Sequence, residues 1–219
     1  MMKLEANSKL VMIGDSITDC GRTQPVGEGL FEAQGRGYVS YVSGLLGAIY
    51  PELHIRVVNM GTSGNTVRDL KARWQKDVID LQPDWLSIMI GVNDVWRQFD
   101  LPTFNEIHVP PAEYEATLEE LVAATKPVVK GLVLMTPHFI EPNPADEMRA
   151  MMDRYGAIVR KLALKYNTLF VDTQAAFNKV LQHCYPASLA WDRVHPNTTG
   201  QLVLARAFLD AVDFDWNHQ

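Results

Sequence analysis

The chain has little cysteine. Cys20 and Cys184 are the only two among 219 residues. Two thiols do not make a disulfide framework, and no C-x-x-C spacing occurs. They are expected to be reduced, as in a reducing compartment. Metal-ligand spacing is missing as well. The six histidines form no H-x-H or H-E-x-x-H pattern, so no metal is expected. His54, His108 and His218 read as surface residues, and His138 as a neighbour of the ligand crevice. Long apolar runs are absent. Residues 86–90 and 131–135 fall far short of the ~18 needed to span a bilayer. Basic clusters are absent too. Lys and Arg total 20 against 26 Asp and Glu, a net charge of −6. Nucleic acid and anionic membrane surfaces both call for a Lys/Arg footprint, so neither is expected as a partner. A neutral or weakly charged small substrate fits this balance. Residues 1–10 carry Glu5 and no apolar run before a small-residue cleavage site. That reads as a cytoplasmic start rather than a secretory leader.

What is present is an ordinary globular composition, 47% hydrophobic and 21% charged, which excludes disorder and low complexity. Nothing resembling a linker or repeat divides it, so one domain is expected over 1–219. Short apolar runs alternate with amphipathic stretches. Residues 9–14 (KLVMIG), 55–61 (IRVVNMG), 85–91 (WLSIMIG), 131–136 (GLVLMT) and 169–172 (LFVD) read as five strands. Helical spacing follows in Tyr41, Val42, Leu45, Leu46 and Ile49, then in Val67, Leu70, Trp74 and Val78. It returns in Tyr114, Leu118, Leu121, Val122 and Thr125, in Met152, Tyr155, Ile158, Val159 and Leu162, and over residues 202–212. Strands without polar alternation are buried on both faces. Joined by helices, they predict a parallel sheet in a three-layer α/β domain. Ligands bind such domains beyond the carboxyl ends of the strands.

The residues just past those ends are therefore informative. Asp15-Ser16-Ile17-Thr18-Asp19 follows the first strand, Gly61-Thr62-Ser63-Gly64-Asn65 the second, and Gly91-Val92-Asn93-Asp94 the third. Pro137 and His138 follow the fourth, and Trp191-Asp192-Arg193-Val194-His195-Pro196 precedes the last helix. Together they supply a hydroxyl, glycine-freed amides, a side-chain amide, a carboxylate and an imidazole, the parts of covalent acyl transfer. Ser16 is the candidate nucleophile; the competing reading is a helix cap. The G-x-S-x-G elbow is absent, since Thr18 replaces its last glycine. His195 is the candidate base and Asp192 its orienter, three residues apart in a tight turn. Alternatively, Asp192 caps a turn and His195 is an exposed polar residue. Gly64 N–H, the Asn93 side chain and Ser16 N–H are candidate oxyanion donors, set against simple turns after strands.

These four segments, in this order, resemble the GDSL or SGNH hydrolase family. Its Ser, Gly, Asn and His motif residues correspond to Ser16 in GDSIT, Gly64 in NMGTSGNT, Asn93 in GVND and His195 in DRVHP. Asp192 stands where the family places its acid. Ile17 occupies the position that gives the family name its leucine. The stretches GDSITDCGR, SGNTVRDLKARW, SIMIGVNDVWRQ, VDTQAAFN and LAWDRVHP are similar to those of a bacillar group of intracellular acetyl xylan esterases. The resemblance implies a flavodoxin-like α/β/α fold with a five-stranded parallel sheet. It also implies a Ser16–His195–Asp192 triad, no cofactor, an acetylated xylo-oligosaccharide substrate and a homo-oligomer. A short-chain lipid esterase or acyl-CoA thioesterase is the nearest alternative. A non-catalytic carbohydrate-binding protein is the alternative of another class.

Asp15, Trp96 and Trp191 are assigned to substrate binding, the two tryptophans equally readable as core or interface residues. Arg68, Arg97, Asp15 and Asp94 are expected to set hydrogen bonds around the site. Gly27-Glu28-Gly29 and Gly35-Arg36-Gly37 come too late for a dinucleotide loop and read as a flexible loop beside the site. Residues 98–111 and 140–146 read as specificity loops. The tail aromatics Phe214 and Trp216 suggest an oligomer contact or a docked tail.

Overall fold

Five apolar runs form a single sheet: β1 (Lys9–Gly14), β2 (Arg56–Gly61), β3 (Trp85–Met89), β4 (Gly131–Met135) and β5 (Leu169–Val171). The structure, a computed structural model, describes residues 2–218. Every pairing is parallel and the spatial order is β2-β1-β3-β4-β5. All residues of β3 and β4 are buried, which requires a layer on each face of the sheet. The helices supply both. One group is α2 (Tyr38–Ile49), α7 (Thr173–Leu181) and α8 (Thr198–Ala211); the other is α3 (Val67–Trp74), α5 (Pro111–Thr125) and α6 (Glu147–Tyr166). The α/β/α expectation from continuous apolar strands is thus met. The short α1 (Ser16–Asp19) and α4 (Val92–Asp100) lie directly past β1 and β3.

Register places the site. Gly14 pairs with both Gly61 and Met89, Met89 with Met135, and Met135 with Val171. All five carboxyl ends are therefore level. Because β1 pairs with both β2 and β3, the segments after these three strands are immediate neighbours.

Four segments differ from expectation. β3 stops at Met89 because the chain turns at Gly91, with φ +130°, into α4. A side chain at Gly91 would press on Pro137 and Tyr114. Residues 98–100, expected in a loop, belong to that helix, whose Val92 and Val95 are buried. Helix α7 was not expected; it is capped by Asp172, which accepts from Ala175 N at 2.9 Å. The glycine-containing segment after α1 is tied to the sheet. Gly27 and Asn59 exchange backbone hydrogen bonds of 3.1 and 2.9 Å, and Gln34 Nε2 donates to Val57 O at 2.7 Å. This covers the outer edge of β2, where unpaired backbone groups would otherwise stand open. In the tail, Phe214 is buried against Tyr50, while Trp216 remains partly exposed.

Candidate active site

Ser16 opens α1, one residue beyond the N-cap Asp15. The Asp15 carboxylate accepts from Ile17 N at 3.0 Å, and its carbonyl from Asp19 N at 2.9 Å. The turn is tight because the strand ends carry glycine. A Cβ on Gly14 would collide with Met89 O and the Thr18 side chain, and one on Gly61 with the backbone of Thr18 and Asp19. Glycine here permits close backbone approach.

The last loop brings His195 onto this turn. Its Nε2 lies 2.8 Å from Ser16 Oγ. On the other side of the ring, Nδ1 lies 2.6 Å from Asp192 Oδ2. Asp192 Oδ1 accepts from Val194 N at 2.9 Å and His195 N at 2.8 Å. Burial raises the carboxyl pKa, but the hydrogen bonds from His195 and Val194 and the His195 charge outweigh it. Asp192 is held below the usual carboxylate range. The loop itself is anchored by the buried Val194 and by Ile140 N, which donates to Arg193 O at 2.8 Å. Arg193 pairs with Glu141 at 2.7 Å and lies over the Phe139 ring.

Gly64 turns the chain after β2 with φ +83°, its backbone exposed. Asp19 holds this loop, its Oδ2 accepting from Ser63 N at 3.0 Å and Ser63 Oγ at 2.9 Å. Asn93 is buried in the first turn of α4 and donates through Nδ2 to Asn65 O at 2.9 Å. Among the described residues, Ser16 N–H, Gly64 N–H and the second Nδ2–H of Asn93 have no protein acceptor. The three free donors stand in the neighbouring segments that follow β1, β2 and β3, and the first of these carries a serine hydroxyl in contact with an imidazole. Such an arrangement can deprotonate an alcohol and stabilise an oxyanion.

The remaining expected residues are distributed unevenly. Trp96 is half-buried, its ring edge-on to His195 with centroids 5.7 Å apart. Trp191 is 90% exposed and therefore no core residue. Asp15, expected to touch substrate, is closed off beneath Ser16. Its burial pushes the carboxyl up to about 7, against the opposing effects of the Ile17 hydrogen bond and the His195 and Arg73 charges. Asp94 is buried too, pushed up by desolvation to about 7, and accepts from Val67 N at 3.0 Å. Arg97 approaches Asn93 Oδ1 at 3.4 Å and pairs with Asp100. Arg68 bonds Glu113 and the carbonyls of Glu106 and His108. His138 lies fully inside the fold against Phe177 rather than bordering a crevice, and burial pulls its pKa down to about 3. His108 is half-buried; His54 and His218 are exposed.

Sequence reasoning missed two arginines and an asparagine. Arg22 donates to Gly61 O at 2.5 Å and Pro25 O at 2.9 Å. Arg73 reaches Gly14 O and Met60 O. Asn59 Nδ2 donates to Thr18 O at 2.6 Å. Arg73 on its helix and Arg22 in the loop after α1 carry long side chains that read as solvated, and Asn59 reads as one polar residue in an apolar strand; only the folded chain reveals the carbonyls they reach. Among the described residues no group of three or more His, Cys, Asp or Glu is arranged to hold a metal, and no helix is long and apolar enough to cross a membrane.

The model of the GDSL-like lipase/acylhydrolase family matches residues 12–203, which include all four motif segments. The chain belongs to this family. As a GDSL-like acylhydrolase it is a carboxylic ester hydrolase. It is 64% identical over 215 residues to a curated acetylxylan esterase of Geobacillus stearothermophilus, covering 98% of each chain. A crystal structure of the Geobacillus acetylxylan esterase superposes on it with a TM-score of 0.97, at 64% identity and 98% coverage of each chain. The acylhydrolase is also similar to an alpha/beta hydrolase enzyme from the metagenome of Lake Arreo, Spain. Here the TM-score is 0.96 and the identity 58%, over 98% of this chain and 99% of the other.

Proposed function

We propose that this acylhydrolase removes O-acetyl groups from carbohydrate, with acetylated xylo-oligosaccharides as substrate. The observation that carries the reading is the unbroken line Ser16 Oγ–His195–Asp192, with steps of 2.8 and 2.6 Å. The likeness to an acetylxylan esterase supports the substrate.

On this reading Ser16 Oγ attacks the acetyl carbonyl carbon while His195 Nε2 takes its proton. Asp192 holds the Nδ1 proton and stabilises the imidazolium. The carbonyl oxygen becomes an oxyanion facing Ser16 N–H, Gly64 N–H and Asn93 Nδ2–H. Collapse breaks the bond to the sugar oxygen, which receives the proton from His195. Water then repeats the sequence on the acetyl-enzyme, releasing acetate and restoring Ser16.

On this reading Trp96, edge-on to His195, and the exposed Trp191 contribute aromatic surface to sugar binding. Asp15 lies beneath the reacting groups, and we assign it to supporting the Ser16 turn. The exposed Trp191, Tyr185 and Trp216 also suit contact between copies in a homo-oligomer, tested by the solution mass. The unpaired Cys20 and Cys184 accord with a cytoplasmic setting.

The test is release of acetate from acetylated xylo-, manno- and sialyl-type oligosaccharides. The xylo member should give the highest kcat/KM. Preference for another sugar overturns the substrate, and failure to release acetate from any member overturns the deacetylation.

A further inference from the structure

Resting on the oxyanion reading above, we propose that Arg73 and Asn65 form a positioning relay that sets the direction of the Asn93 amide relative to the Ser16 turn.

The side chain of Arg73 is 16% exposed and directs its donors at four oxygens. Nε donates to Asn65 Oδ1 at 2.7 Å, Nη1 to Met60 O and to Asp77 Oδ2 at 2.8 Å each, and Nη2 to Gly14 O at 2.9 Å. A guanidinium is planar, with its donors in a rigid fork, so these acceptors are fixed relative to one another. Gly14 leads directly into Asp15 and Ser16. Met60 lies near the end of β2, just before the Gly64 turn. One cation therefore ties the nucleophile's strand to the oxyanion loop.

Asn65 passes the constraint on. Its side chain is held by Arg73, its N–H donates to Thr62 O at 3.3 Å, and its carbonyl accepts from Asn93 Nδ2 at 2.9 Å. A primary amide is planar and carries two N–H bonds on one nitrogen. Once one of them points at Asn65 O, the direction of the other is set. That second N–H is the one left for a substrate oxygen. Displacing the Asn65 carbonyl therefore misdirects the donor without removing it.

The relay is separable from the stability of α3. That helix has its own anchors. Thr66 and Asp69 form a capping box, Asp94 accepts from Val67 N, and Trp74 Nε1 donates to Thr125 Oγ1 at 3.0 Å. Val67, Leu70 and Trp74 are buried. None of these depends on the Asn65 side chain.

The experiment measures kcat and KM on an aryl acetate, with melting temperatures, for Asn65→Ala, Arg73→Lys, Asn93→Ala and the Asn65→Ala/Asn93→Ala pair. Asn65→Ala is expected to lower kcat by about tenfold or more, with KM within about threefold and melting within a few degrees. Arg73→Lys, which leaves several of the four oxygens without a donor, should lower kcat at least as far. In the Asn93→Ala background, Asn65→Ala should cost less than about threefold, because the donor it directs is gone. An undiminished cost in that background overturns the relay. So does a loss confined to KM, or an Asn65→Ala kcat within twofold of the parent. Should Arg73→Lys fold poorly, the Asn65 and Asn93 variants still separate these outcomes. An Asn93→Ala single variant with full activity instead removes the oxyanion reading, and the relay falls with it.

Discussion

Asp192 bonds His195 twice: Oδ2 stands 2.6 Å from the ring Nδ1, and Oδ1 accepts the same residue's backbone N–H at 2.8 Å. One carboxylate thus orients both the imidazole and the peptide that carries it. Asp192→Asn can retain the backbone acceptor while presenting an NH₂ group to Nδ1, which favours the tautomer that cannot accept from Ser16. Turnover of an aryl acetate should fall on the order of 10³–10⁴-fold. A loss under tenfold in steady-state kinetics removes Asp192 from the catalytic set.

Ser16→Ala should abolish covalent capture. Turnover is expected to drop by about four decades or more, with the melting temperature little changed. Mass spectrometry after a serine-directed fluorophosphonate should show one adduct on the parent and none on the variant. An adduct that persists places the nucleophile elsewhere.

Asn93→Ala tests the amide donor. One oxyanion contact typically contributes ~3 kcal/mol in the transition state, so kcat should fall about 10²-fold. A change restricted to KM assigns Asn93 to ground-state binding.

Asp94 gives a pH-dependent stability. Its folded pKa of about 7 lies above the ordinary 3.8. Between these values the folded state binds a proton that the unfolded state has lost, so this contribution to stability falls as pH rises. Asp94→Asn keeps an acceptor for Val67 N and removes the titration. The melting-temperature difference, variant minus parent, should therefore increase from pH 4.5 to pH 8 by roughly 3–10 °C. An equal difference at both pH values contradicts the buried ionisation.

Acyl length separates deacetylation from lipid ester or thioester hydrolysis. The kcat/KM for an aryl butyrate should lie at least tenfold below that for the acetate, since each misfit methylene costs about 1–3 kcal/mol. The reverse order favours the longer-chain reading.

The legible part of the fold was its sheet. Val11, Leu86 and Val133 sit in runs without polar alternation, and burial on both faces follows from that alone. Helix α4 was obscured because GVND also reads as a turn and three prolines, Pro102, Pro110 and Pro111, crowd the segment after it. Its signal was Val92, Val95 and Trp96 at helical spacing. Helix α7 hid its apolar face, Phe177 and Val180, between Gln174, Asn178 and Lys179; the Asp172 cap was the available clue.

Three of the four motif segments were legible because they lie past strand ends, where topology places them side by side, and the fourth because Asp192, His195 and Pro196 stand just before the last helix. The support beneath them was not. Arg73 reads as an ordinary basic residue near a helix C-terminus, and nothing in its spacing names Gly14 O as an acceptor. Asp15 reads as polar and near the reaction; its burial, with the carboxylate turned to the Ile17 backbone N–H, appears only in the folded chain.

The His195 side chain remains 44% open to solvent even while touching Ser16. On the proposed chemistry, a hydrolytic water needs no channel and no lid has to lift before it arrives. Dissolved alcohols share that approach. A concentrated sugar or glycerol solution should then divert part of the acetyl flux into new esters, so that ester exchange accompanies cleavage when water becomes scarce.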